Sequence, residues 1–318
     1  MDELDLRILG CLPWKPGDPI HMARGILRPW DIARTLGVHG NTVKTRLEEM
    51  RRIGVLKAVY LVPNALVGDV TDLGVFWLEF DGPREKLDAF AKIQARDDVN
   101  DVHTYVGGTM RVALMVRDGA DLLAAAEQLR RDVAAHEARL FYRRSTGRVP
   151  GDPTMNALSA LDLRIVRALL PDAHRPFPDV AKEVGVTPKT VRLRFHAMLK
   201  QPTFAIIPHL DLGKVRDFLA FELSVELAEP NPSHLAAFTA AFPQAFNRGG
   251  TRGQGGYVYL AVRSGSEMED VLLRAQAMPG VRRARALLVR EVWTNNGNLL
   301  RILDERLAEA EREAKARK

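Results

Sequence analysis

The sequence predicts an α+β chain that runs one plan twice, a small three-helix unit with a β-rich tail followed by a βαββαβ unit. Three observations carry that prediction. Gly37–Gly54 (GVHGNTVKTRLEEMRRIG) has a second copy 148 residues later, at Gly185–Lys200 (GVTPKTVRLRFHAMLK). Leu161-Asp162-Leu163-Arg164-Ile165 repeats Leu4-Asp5-Leu6-Arg7-Ile8 at an offset of 157. After each helical stretch the hydrophobic period changes, and short strands alternate with helices. Self-similarity of this kind marks an internal duplication.

In the first helical unit, Leu4–Leu12 carries apolar residues at 4, 6, 8, 9 and 12 and reads as a helix. Pro13–Leu27 is broken by Pro13, Pro16, Gly17, Pro19 and Gly25. Pro29 suits the first position of a second helix, Trp30–Leu36, which stops at Gly37. A third helix runs from Asn41 to Arg52 and stops at Gly54. Val55–Val62 is a short β-rich run ending at Pro63 and suits a wing. In the second copy Val180-Ala181 answers Ile32-Ala33, so the first copy carries about nine extra residues in its 13–27 loop. Pro208 and Gly213 answer Pro63 and Gly68, which makes the second wing about three residues shorter.

The first βαββαβ run is strand Leu73–Phe80, helix Arg84–Gln94, strands Val99–Val106 and Met110–Arg117, helix Asp121–Ala135 and strand Ala138–Arg143. That order is the split-βαβ, or ferredoxin-like, arrangement. The second run places strands at 217–226, near 245–249, at 256–263 and 284–293, with helices at 233–241 and 267–277. The expected domains are two winged helix-turn-helix units, 1–68 and 159–213, alternating with ferredoxin-like units at 69–146 and 214–294. A linker spans 147–158 and a charged helix fills 295–318. This last helix reads either as solvated or as packing on a partner subunit through Leu299, Ile302, Leu303 and Leu307.

Lys plus Arg number 46 against 40 Asp plus Glu, and the pI is about 9.5. A basic balance permits a nucleic-acid partner without requiring one. The single cysteine, Cys11, excludes an internal disulfide and a cysteine-based zinc site. It falls on the apolar side of its helix and is expected to be buried. No run of about 18 apolar residues and no signal-peptide pattern occurs, which points to the cytoplasm and away from a membrane.

Gly37–Gly54 and Gly185–Lys200 read as the turn and recognition helix of a helix-turn-helix, a motif that sets a helix in the DNA major groove. At 100° per residue, Val43, Leu47 and Met50 lie within about 60° of one another and form a buried stripe. Asn41, Lys44, Thr45, Glu48 and Arg52 lie opposite. In the second copy Val191, Phe195 and Met198 form the stripe, with Lys189, Arg192, Leu193, His196 and Lys200 opposite. Arg and Lys donate to guanine O6 and N7, Asn pairs with adenine, and Glu accepts from cytosine N4. Arg46 and Arg194 flank the stripes within reach of phosphates, and Thr190 completes the predicted DNA-binding set. Thr187 is a good N-cap and Pro188 suits the first turn. The copies differ where bases are read, Thr45 against Leu193 and Glu48 against His196, so the two helices are expected to read unlike half-sites.

On these residues the sequence resembles the leucine-responsive regulator/AsnC family of transcription regulators. The first copy matches at Leu4-Asp5, Asp31-Ile32-Ala33, Leu36-Gly37-Val38, Thr42-Val43, Arg46-Leu47, Met50, Gly54-Val55-Leu56, Pro63, Leu66 and Gly68. The second matches at Leu161-Asp162, Val180-Ala181, Val184-Gly185-Val186-Thr187, Thr190-Val191-Arg192, Arg194, Pro208 and Gly213, and is weaker at Gln201–Phe204. The resemblance implies a non-enzymatic regulator that binds double-stranded DNA. It implies assembly into at least a homodimer through RAM-type ferredoxin-like domains, and a small-molecule effector. No cofactor and no metal are expected. The candidate effector site comprises Gly107, Gly108, Arg111, Gly253, Gly255 and Gly256, glycines that also suit plain hairpin turns. No acidic residue occurs in 107–116 or 249–262 to pair with the ammonium of an amino acid.

A rival reading shares the two-domain plan. Siroheme decarboxylases look like such regulators but act on a tetrapyrrole, and are expected to place His, Tyr and Arg on the strand read here as Val99–Val106. His103 and Tyr105 are present, the following Val106-Gly107-Gly108 is not basic, and the second copy has Phe246-Asn247-Arg248 without a His. A lone His on a strand reads more simply as structural or exposed.

Overall fold

The computed structural model describes residues 1–12, 29–63, 71–117, 121–144, 158–173, 175–199, 204–251 and 255–316. The expected linker falls almost wholly outside them, and the 13–27 loop, Leu66, Gly68, Lys200 and Gly253 lie outside them too. The first helical unit is α1 (Glu3–Cys11), α2 (Pro29–Leu36) and α3 (Gly40–Arg52). Its counterpart is α6 (Ala160–Leu169), α7 (Phe177–Val184) and α8 (Pro188–Leu199). Both units start in the same way. Asp2 with Asp5, and Ser159 with Asp162, close capping boxes that satisfy orphan amides of the first turn. Gly37 and Gly185 take left-handed backbone (φ +68° and +74°), which lets the chain turn sharply into α3 and α8. The predicted stripes Val43/Leu47/Met50 and Val191/Phe195/Met198 are buried.

The runs read as wings fold differently. β1 (Leu56–Pro63) and β6 (Phe204–Leu210) pair with each other, antiparallel, in a two-stranded sheet of their own. Neither run forms a hairpin wing among the described residues. A single strand has no partner within its own copy, and its peptide groups are satisfied by the equivalent strand of the other copy.

The first ferredoxin-like unit is β2 (Thr71–Glu79), α4 (Pro83–Gln94), β3 (Val99–Tyr105), β4 (Thr109–Arg117), α5 (Leu122–Asp132) and β5 (Glu137–Arg144). The second is β7 (Leu219–Leu227), α9 (Pro232–Ala241), β8 (Asn247–Thr251), β9 (Gly255–Val262), α10 (Gly265–Gln276) and β10 (Val281–Thr294). Their strands join in one sheet of eight, in the order β5-β2-β4-β3-β10-β7-β9-β8. The seam is antiparallel pairing of β10 with β3, Trp293 opposite Val102. β10 has 14 residues, long enough to pair with β7 over its first half and β3 over its second.

Alternation along the strands sorts the residues into two faces. Phe76, Leu78, Val112 and Leu114 pack beneath α4 and α5, and Phe221, Leu223, Val258 and Leu260 beneath α9 and α10. The other face carries Trp77, Tyr105, Arg111, Glu222 and Tyr259, all buried. The end strands β5 and β8 come into contact, so the sheet curls almost closed around this face. Two ion pairs cross the interior in opposite directions, Arg139–Glu226 at 2.5 Å and Arg285–Glu79 at 3.1 Å.

The last helix, α11 (Gly297–Ala316), lies against α6 of its own chain. Leu299, Ile302 and Leu303 are buried there, and Arg167 holds Asp304 at 2.5 Å. Neither reading of the tail, solvated or packed on a partner subunit, describes Leu299, Ile302 and Leu303, which the chain itself covers. No helix among the described residues is long and apolar enough to cross a membrane.

Candidate functional site

On α3 the side chains of Asn41, Lys44, Thr45, Glu48 and Arg52 are exposed. Two of its cations have carboxylate neighbours: Lys44 lies 3.9 Å from Glu48, and Arg52 grips Glu49 with two hydrogen bonds of 2.6 and 2.7 Å. On α8, Lys189, Arg192 and Arg194 are exposed, Thr190 and His196 are half-buried, and the helix contains no acidic residue. The Thr190 amide donates to Thr187 Oγ1 at 3.2 Å, which caps the helix. Arg46 reaches Asp2 at 2.7 Å and Asp5 at 3.2 Å, and Arg194 lies 3.6 Å from Asp162. These two arginines thus tie each recognition helix to the first helix of its unit.

The residues of the candidate effector site are not gathered as a group. Gly107 and Gly108 form the β3–β4 hairpin, and Gly255 and Gly256 open β9. A Cβ on Gly108 would come within 2.2 Å of Phe80 O, and one on Gly255 within 2.7 Å of Val225 O, so close backbone approach accounts for both. Arg111 stands apart from them, inside the curled sheet.

There it belongs to a buried polar cluster assembled from both units. Glu222 Oε2 accepts from Tyr105 at 2.6 Å, from Tyr259 at 2.9 Å, and faces Arg111 Nη1 at 2.8 Å. Arg111 Nη2 donates to the Tyr259 hydroxyl at 3.1 Å and lies 3.0 Å from His103 Nε2. His103 hydrogen-bonds Asp101 at 2.7 Å and, through Nδ1, the Tyr259 hydroxyl. The Arg111 guanidinium stacks on Tyr257, 4.3 Å from the ring centre. Glu222 Oε1 and Trp77 Nε1 are buried with no hydrogen-bond partner among the described residues. Trp77 lies beside Tyr105, with ring centres 5.6 Å apart.

The cluster is single although the scaffold is double. Trp77 pairs with Arg139 and Arg111, and Ser224 pairs with Arg285 and Tyr257, so Trp77 and Ser224 occupy equivalent places. By the same registers Gly249 stands where His103 would be repeated, and Tyr259 where Ala113 stands. One unit supplies the His and Arg, the other the Glu and two Tyr.

Burial sets the protonation of these groups. Burial and the Arg111 charge hold His103 below the ordinary imidazole range. Burial would push Asp101 up, but the His103 hydrogen bond and the nearby cations hold it below the usual carboxylate range. Burial pushes Tyr105 and Tyr259 well above the ordinary phenol value, against the pull of Arg111 and helped by Glu222. For Arg111, burial opposes the charge, and the Glu222 carboxylate together with the surrounding tyrosines outweighs it and holds the guanidinium well above its ordinary value. The result is neutral phenol donors, a neutral imidazole on a carboxylate, and a fixed cation. The charge of Arg111 is already answered by Glu222, and the two phenols and the imidazole are hydrogen-bonded around that pair.

The sequence pointed to His103 and Tyr105 without joining them to a site, and read His103 as structural or exposed. It is buried because a partner-lined interior forms only when the two units curl together. Glu222, Tyr257 and Tyr259 were missed. Their trace was the carboxylates interrupting the apolar run Leu219–Leu227 (LAFELSVEL).

Residues 158–199 match the AsnC-type helix-turn-helix domain family. That match takes in the whole of the second helical unit, α6 to α8. The resemblance to the leucine-responsive regulator/AsnC family stands on that match. No curated protein matches the chain. Among solved structures, the siroheme decarboxylase NirDL is similar over 96% of this chain and 99% of its own, at 12% identity and a TM-score of 0.51. E. coli AsnC is similar over 44% of this chain and 94% of its own, at 20% identity and a TM-score of 0.30. The expectation that the chain is not an enzyme is corrected here. A solved structure that shares the fold from end to end is an enzyme's, so an AsnC-type domain on this plan does not exclude catalysis.

Proposed function

We propose that the chain is a sequence-specific DNA-binding transcription regulator whose helices α3 and α8 enter the major groove. The exposed, carboxylate-free cationic face of α8, in the AsnC-type domain, supports this reading. Asn41, Lys44, Thr45, Glu48 and Arg52 are the proposed contacts of the first head, and Lys189, Thr190, Arg192, His196 and Lys200 of the second. Arg46 and Arg194 orient the helices and face the backbone. Double-stranded DNA is the partner and the cytoplasm the compartment. Further assembly and an effector at the sheet unit belong to the same proposal. Gel retardation with K189A/R192A tests it: weaker binding at every sequence is expected, and unchanged affinity would remove its basis.

The buried cluster favours a second reading, decarboxylation of a tetrapyrrole such as siroheme. Loss of CO2 leaves an electron pair on the departing carbon's neighbour, which must take a proton. His103, Tyr105 and Tyr259 are the titratable groups gathered around the Arg111–Glu222 pair, and the phenols are the proton donors this reading would use. Incubation with siroheme decides: a spectral shift on binding and release of CO2, both lost in H103A, support this reading, and their absence removes it.

A further inference from the structure

A cavity of about 420 Å³ lies between α1 of the first helical unit and the second ferredoxin-like unit, and none of the residues of the polar cluster lines it. Its size falls in the range of about 300–1,000 Å³ typical of small-molecule sites. Leu6, Cys11 and Leu36 line it from the helical unit, and Phe218, Phe246 and Val262 from the sheet unit. The two units are in direct contact at its edge. A Cβ on Gly10 would sit 3.9 Å from Gln244 O, and the N-terminal ammonium of Met1 meets Asp217 at 3.1 Å.

The charges at the wall have a definite order. Arg7 and Arg263 line the cavity, as do Glu3 and Glu267. Both carboxylates lie in the first turns of helices, Glu3 in α1 and Glu267 in α10, where the helix end complements negative charge. Glu267 also accepts from the backbone amide of Arg263 at 3.0 Å. The Arg263 guanidinium stacks on Phe218 at 5.0 Å, poised over the aromatic wall. Arg7 and Arg263 are exposed at the wall, so an incoming anion can reach both guanidiniums. Aromatic walls with paired guanidiniums suit a flat apolar body that ends in a carboxylate.

We propose that this cavity is a binding site for an amphipathic aryl or branched-chain carboxylate, wedged between the first DNA-reading head and the sheet unit. Its occupant touches both units at once and so biases how α1 sits on the sheet. The proposal rests on neither functional reading above, since binding alone tests it. Cys11 is the only cysteine in the chain and is half-buried in the cavity wall. Its alkylation by iodoacetamide, followed by intact mass, therefore reports occupancy. Naphthalene-1-acetate is the probe and 2-(1-naphthyl)ethanol its neutral control. The acid is expected to slow alkylation at least tenfold at millimolar concentration and the alcohol much less. R7Q/R263Q should erase that preference, with protection in the variant measured against its own rate without probe. Melting temperature with the same pair of compounds covers a thiol too shielded to react. Equal protection by acid and alcohol, no protection or melting shift by either, or a preference for the acid that survives R7Q/R263Q would overturn the proposal.

Discussion

Arg111 of the first ferredoxin-like unit pairs with Glu222 of the second at 2.8 Å, with both side chains buried. The pair bridges the two halves of the curled sheet and anchors the whole polar cluster. Removing one partner strands a buried charge, which costs about 3–5 kcal/mol, whereas replacing both by apolar residues is often neutral. E222A should therefore destabilise the chain by about that amount, and R111M/E222L should recover most of it. Urea unfolding of the three proteins reads the result. A mild effect of E222A would mean that Tyr105, Tyr259 and Arg111 find other partners.

Acid should loosen the same region. Burial, then the Lys57 charge, lowers His209 from 6.5 to about 4, with His103 adding and Asp211 opposing. His103 is lowered as well. Between the unfolded and folded values the unfolded chain binds a proton that the folded chain refuses, so stability is highest above the unfolded value and falls with pH. For His209 the window runs from 6.5 down to about 4, worth about 3 kcal/mol at about 1.4 kcal/mol per unit. Denaturant unfolding at pH 7.5 and 5.0 should show the loss, and H209Q should flatten it. Equal stability at both values would mean that His209 titrates freely in the fold.

The two DNA-reading heads should prove unequal. Arg52 is held by Glu49 and Lys44 lies near Glu48, while α8 has no carboxylate of its own. Each lost phosphate contact lowers the salt slope of binding by about one. K189A/R192A should weaken binding and lower the slope by at most about two, one for each cation lost. K44A/R52A should do less, because part of its charge is already answered. Selection of bound DNA should return two unlike half-sites. A perfect inverted repeat contacted by both heads of one chain would refute the asymmetry.

How far the sequence carried depends on the range of the interaction. The helices, their buried stripes and the strand order were legible because Val43, Leu47 and Met50, or Phe76 and Leu78, obey local periods. The β1–β6 ribbon was read as two wings because a β-rich run is equally compatible with a hairpin and with a partner 148 residues away. The cluster was illegible for the same reason. His103 and Tyr259 lie 156 positions apart, and only the closing of β10 onto β3 brings them together. Cys11 was expected in a core and instead borders a cavity, because periodicity shows which face of α1 is apolar but not how tightly that face is covered.

The tail helix offers a clean separation of burial from charge. Leu299, Ile302 and Leu303 sit at helical spacing and are buried against the second helical unit, while Arg167 and Asp304 pair on the surface at 2.5 Å. Both side chains of that ion pair are about half exposed (45% and 50%), where such pairs contribute about 0–1 kcal/mol. Truncating a buried leucine costs about 2–5 kcal/mol. L303A should therefore destabilise far more than D304A. Because α11 covers α6 of the AsnC-type domain, L303A should also lower the melting temperature of that domain in particular, read by hydrogen exchange in 160–199. Should D304A prove as damaging as L303A, the ion pair, and not the apolar stripe, would be what holds the tail in place.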